Sequence, residues 1–166
     1  MTDISVANKD WAIIGAVVTA LETAEINGEA VFQDVTVTTS SGQAAECQLI
    51  GPTPKAIVRY VATVENVSPE DVRGCRVVLE LLICTKITGG VDESSRAEEI
   101  LRLTNAARNA VEASPPADAS AWAGTGYHHD AVRWGQAEIN ATESLPWAIC
   151  RVPVEIGFVL EAGIAH

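Results

Sequence analysis

The sequence predicts an α+β fold: one domain whose mixed, mainly antiparallel sheet is packed by two helices. Three observations predict it. Several runs have the alternation or continuous apolar character of strands, only two segments carry helical periodicity, and those two do not alternate with every strand as in a βαβ chain. At 166 residues the chain fits one domain, 1–166, large enough to bury about 70% of the surface its unfolded form exposes.

The first helix spans about Asn8 to Ile26, where Ile14, Val17, Val18 and Leu21 recur at i, i+3, i+4 and i+7 and so share one face. Asn27-Gly28 supplies a left-handed exit for it. In "AVFQDVTVTTS" the alternating Val31, Val35 and Val37 mark a half-buried strand. From Ser40 to Lys55 the glycines and prolines, Pro52 among them, make a turn-rich connection with room for one short strand in "ECQLI". Ala56 to Asn66 alternates again, "SPED" interrupts, and the run after it is the antiparallel partner. That run, Arg76 to Ile87, is apolar on both faces and therefore central in its sheet, and Gly89-Gly90 ends it.

Ser95 with Glu98 has the form of a capping box, and Ala97, Ile100, Leu101, Thr104, Ala107 and Val111 continue as the stripe of a second helix of about five turns. Asp92 with Arg96 and Glu98 with Arg102 stand four apart as solvent-facing ion pairs. Ser114-Pro115-Pro116 stops the helix, and "ADASAWAGTG" forms a long loop of the kind that often binds. Two strands close the chain, "AVRWGQAEI" and "WAICRVPVEIGFVLEA". In the latter Val152, Val154, Ile156, Phe158 and Leu160 point inward, and Pro153 indicates a sheet edge or a bulge.

Twenty-two acidic against eleven basic residues leave a net charge of −11, which repels phosphate and disfavours nucleic-acid reading by a basic patch. The longest apolar stretch, Trp11 to Leu21, is too short to cross a bilayer, and no basic cluster makes it an export signal. A soluble protein without a membrane partner is expected. Cys47, Cys75, Cys84 and Cys150 are scattered, with no CxxC pair; Cys84 and Cys150 sit in apolar strands as small core residues.

The stretch Tyr127-His128-His129-Asp130 is the strongest chemical lure. Adjacent residues of an extended chain point to opposite sides, so these cannot easily share one metal, and the solvated junction of a loop and a strand is the simpler reading. There is no nucleophile elbow, phosphate loop or dinucleotide fingerprint, and no catalytic, cofactor-binding or metal-ligating residue is assigned. Trp11 and Trp134 are expected in the core. Trp122, in a loop of alanine, serine and glycine, is either a partner's anchor or a local plug.

The opening helix "DWAIIGAVVTALE", the strand "CRVVLELLICTK" leading into "SSRAEEILRLTNAARNAV", and the closing "WAICRVPVEIGFVLEA" together resemble the tail terminator, or tail completion, proteins of long-tailed bacteriophages of the Mu-like and lambda-like kinds. The likeness runs from about Asp10 to Ala162 and is one of order and pattern. It implies a structural protein without enzymatic activity or cofactors, found in the virion's tail and neck and in the host cytoplasm during assembly. It implies a ring, typically of six copies, that caps the tail tube, ends its growth and presents a surface to neck or head-completion proteins, with sheath protein as a further partner. DNA would pass through the lumen without sequence-specific contact. Ring subunits need two different complementary patches; the candidate interface residues are Trp122, Tyr127, Pro52 and Pro153. Two alternatives stand beside this: another neck or connector component, and a small ligand-binding or enzymatic domain with a pocket beside Tyr127, His128 and Asp130.

Overall fold

The structure is a computed structural model and describes residues 9–39, 51–67, 72–117, 127–141 and 146–161. In chain order the elements are α1 (Lys9–Glu22), β1 (Glu25–Ile26), β2 (Glu29–Ala30), β3 (Asp34–Thr38), β4 (Lys55–Val67), β5 (Val72–Lys86), α2 (Glu93–Ala117), β6 (Tyr127–Trp134), β7 (Glu138–Asn140) and β8 (Trp147–Glu161). The α+β class with a mixed, mainly antiparallel sheet is what the chain adopts. The main sheet runs β3-β4-β5-β8-β6, with β7 also on β8, and only β3 and β4 are parallel.

Apolar patterning places the layers. On β5 the odd residues Val77, Leu79, Leu81 and Ile83 pair across to the even residues Ile156, Val154, Val152 and Cys150 of β8, so all eight face one way. All eight are fully buried. Against them pack Ile13, Ile14, Val17 and Leu21 of α1 and Ile100, Leu103, Ala107 and Val111 of α2. Burying a side chain of this kind contributes about 1.5–3 kcal/mol, so this single layer holds most of the fold's favourable energy. β5 is central, as its two apolar faces require.

Several local expectations are corrected. α1 ends at Glu22, and Asn27-Gly28, with φ of 54° and 80°, is instead the two-residue turn of the β1–β2 hairpin. Both central residues of such a turn need positive φ, which asparagine and glycine tolerate best. Val37 lies on the helix side of β3 but is 38% exposed, because an edge strand outreaches its helices. α2 starts on an Asp92 cap, whose carboxylate accepts the Ser95 N–H at 2.8 Å, so Ser95 is inside the first turn. It runs 25 residues, about seven turns, through Pro115 and Pro116 rather than stopping at Ser114. Leu101 is exposed, and the buried stripe takes in Arg96 and Leu103 beside the expected Ile100, Thr104, Ala107 and Val111.

Pro153 does not mark an edge, since β8 is paired on both sides. Its carbonyl accepts the Gly135 N–H at 2.8 Å. A strand residue's N–H and C=O leave on the same side, so the missing donor faces the gap between β6 and β7, where nothing would have paired with it. Gly135 fits that gap closely: a Cβ there would stand 3.0 Å from Pro153 Cγ.

Candidate functional site

Both described helices cover one side of the sheet, and among the described residues no helix covers the other, open side. Register assigns its residues in rows: Ile57, Leu82 and Arg151; Arg59, Glu80 and Pro153; Val78, Glu155 and Arg133. Near the Lys55 end the side is buried, with Lys55 at 2% and Ile57, Leu82 and Cys84 at 0% exposure. Toward the other end it opens, and Val61 and Val64 stand 43% and 48% exposed. A β-bulge between Tyr60 and Ala62 produces this, because the extra residue turns Val61 and Ala62 to the same side.

The polar residues of the open side are paired across strands. Glu80 on β5 accepts from Arg59 Nε of β4 at 3.1 Å and stands 3.7 Å from Arg151 Nε of β8. One row on, Arg76 Nη1 donates to Glu155 at 3.2 Å. Among the described side chains Lys55, Arg59, Arg76, Lys86, Arg133 and Arg151 place six of the chain's eleven cations on this side, against four carboxylates from Asp34, Glu80, Glu138 and Glu155. In a chain of net −11 that is a marked local excess of positive charge.

On the helix side a groove of about 660 Å³ lies between α1, α2 and the β1–β2 hairpin, with Ala20, Ala24, Ile26, Asn105, Ala106 and Asn109 among its lining. Its one cation, Arg102, is held by Glu99 at 2.7 and 2.9 Å, and that partner keeps the guanidinium protonated more firmly than usual. The expected pairing with Glu98 does not form. A hollow of about 260 Å³ is bounded by Asp10, Trp11, Ile14, Thr39 and Tyr60. Trp11 is 56% exposed here and is no core residue, since the first turn of α1 overlies the end of edge strand β3 rather than the central strands. Trp134 is half-buried as expected against the core; its indole N–H donates to Glu112, and the Arg108 guanidinium lies 5.5 Å over its ring.

Of the predicted interface residues, the two whose side chains are described, Pro52 and Pro153, stand apart. Pro52 is exposed at the Lys55 end of the sheet, in the bend ahead of the cis Thr53–Pro54 peptide. Pro153 is exposed in the middle of β8 on the open side. Tyr127 opens β6 opposite Phe158, near the far end; its side chain, like those of His128, His129 and Asp130, lies outside the described residues, as does Trp122 entirely. Between Tyr127 and Val132 β6 advances five residues while β8 advances two. The strict alternation that separated His128 from His129 in the sequence argument is therefore suspended there, and the stretch lies within a strand, not at a junction before one. Among the described residues no three His, Cys, Asp or Glu side chains gather as a metal cluster, and no helix is long and apolar enough to cross a membrane.

Arg96 is the polar side chain that sequence reasoning placed wrongly. Instead of pairing with Asp92 in solvent it is 6% exposed and donates to the carbonyls of Ala141, Ile87 and Trp147 at 2.8, 3.5 and 3.3 Å. The available signal was its position four before Ile100, on the buried stripe. Burial pushes the Cys84 thiol up to about 11, against a smaller downward pull from Lys55, and raises the Cys150 thiol in the same direction. Neither is a poised nucleophile at neutral pH. Comparison with protein-family models and with curated proteins gives no match.

Proposed function

We propose that this chain is a structural assembly protein of the tail-terminator kind, forming a ring of about six copies that caps a tail tube and joins it to the neck. One observation carries the reading: among the described residues helices pack one side of the sheet only, and on its other side Val61 and Val64 are exposed at one end among cross-strand ion pairs. Exposed apolar residues on a paired, rigid sheet suit a surface completed by another protein. The two edges of the sheet also differ, a short parallel β3 on one side and the interrupted β6 and β7 on the other. Unlike surfaces on opposite flanks are what a head-to-tail ring requires.

Light scattering and negative-stain imaging of the purified chain, alone and mixed with tail tubes, test this. A ring at the end of a tube, with tube length limited, is the expected result. A particle that stays monomeric and ignores tubes rejects the reading in favour of a ligand-binding domain, for which the groove beside the β1–β2 hairpin would be the place to look.

A further inference from the structure

We propose that the exposed end of the open sheet face docks a second copy of this chain, and that what it receives is the acidic β1–β2 hairpin and the groove behind it. This rests on the assembly reading above and names the two surfaces that meet. The first argument is charge complementarity. Among the described side chains the open face carries six cations and four carboxylates, whereas the helices, with the Asp92 cap, and the hairpin carry three cations, Arg96, Arg102 and Arg108, against nine carboxylates. The excess is thus reversed between the two sides of the sheet.

Both signs are presented where they can be reached. Arg133 and Arg151 are exposed on the open face. Across the molecule Glu22, Glu25 and Glu29 are exposed on and beside the hairpin. The groove's own cation cannot neutralise them, because Arg102 is already bound by both oxygens of Glu99. The second argument is shape and polarity. Val61 and Val64 form a short apolar ridge, and the groove floor of Ala20, Ala24 and Ala106 is lined by side chains small enough to admit one. Buried apolar contact supplies affinity, and the rim charges fix register and orientation. The two surfaces lie on opposite sides of the sheet, so the contact is heterologous and propagates from copy to copy until rotation closes it.

The test is a charge exchange read by sedimentation across a concentration series. The R133E/R151E chain and the E25K/E29K chain should each assemble at about tenfold higher concentration or more. The chain carrying all four substitutions should recover, because the signs are swapped and complementary again. Thermal melts by circular dichroism confirm that each variant folds. Rings of unchanged concentration dependence in both paired variants would overturn this interface while leaving the ring reading intact. Failure of the fourfold chain to recover, with folding retained, would also overturn it. So would R133E/R151E chains that still form rings but no longer bind tubes, since the open face would then belong to the tube protein. A wild-type chain that stays monomeric, alone and with tubes, would remove both the interface and the reading beneath it.

Discussion

Glu80 illustrates how a single side chain can hold three strands. Its carboxylate takes Arg59 from β4 and faces Arg151 from β8, in a row where the Glu80 and Arg59 side chains are only 15% and 20% exposed. Removing the charge leaves Arg59 partly desolvated without a counter-ion, and the cost of such an orphan exceeds the net value of the pair. Glu80→Gln should therefore cost about 1–3 kcal/mol in urea unfolding, whereas E80L combined with R59M should be close to neutral. If the double variant is as unstable as the single, packing and not charge is what Glu80 supplies. Cys84 gives a pH signature. Its thiol titrates near 9.0 in the unfolded chain but only near 11 when folded. The unfolded state therefore loses its proton first, stability is unaffected below about pH 8, and it falls between 9 and 11 by a limit of roughly 2–3 kcal/mol. Denaturation midpoints at pH 8 and pH 10.5 should converge in Cys84→Ala relative to the wild type. Some alkaline loss should persist, because the Cys150 thiol is raised as well. Parallel losses in the two chains would place the titration elsewhere.

At the scale of elements, Arg96 locks the start of α2 to three pieces of chain: the residue after β5, the first residue of β8, and Ala141 just past β7. Arg96→Met keeps the apolar stem but leaves buried carbonyls without donors, for an expected loss of about 2–4 kcal/mol. Arg96→Lys should recover less than half, since one ammonium cannot span three acceptors set around a planar fork. Full recovery by lysine would mean that charge alone suffices. The same residue shows why sequence reading stops where it does. β5 was legible as a long run apolar on both faces, β8 because a 15-residue strand repeats its alternation many times, and α1 because its stripe is regular. Arg96 was not legible, because a buried cation satisfied by neutral carbonyls is specified by backbone brought from three places in the fold. Asn27-Gly28 failed for a different reason. Asparagine-glycine serves a helix exit and a hairpin turn equally, and two-residue strands are too short to show any period. The open face was hidden too. No stretch of sequence reveals which side of a sheet its helices take, and the exposure of Val61 depends on a bulge visible only in the pairing.

For the molecule as a whole, the strand order makes β8 the piece on which closure depends. It is last among the described strands yet lies inside the sheet, between β5 and the β6–β7 flank, and it is the partner strand of both β6 and β7. It contributes Ala148, Cys150, Val152, Val154 and Ile156, each fully buried, to the layer beneath the helices. At about 1.5–3 kcal/mol for each of the larger side chains, their loss is of the same order as the 5–15 kcal/mol net stability of an ordinary domain. The remainder could not compensate, because deleting β8 also strips β5 of half its backbone pairing and strands β6 and β7 without neighbours. A chain ending at residue 145 should therefore show no cooperative thermal transition and should bind a hydrophobic dye, while the full chain melts in one step. The consequence reaches assembly. The open face exists only when β4, β5 and β8 lie side by side, since Glu80 and Arg76 find their partners across those strands. Folding should thus precede any association through that face. Equimolar full-length chain mixed with the truncated form should assemble at the concentration set by the full-length chain alone. Incorporation of the truncated chain into oligomers would show that the surface forms without β8, and would contradict this order of events.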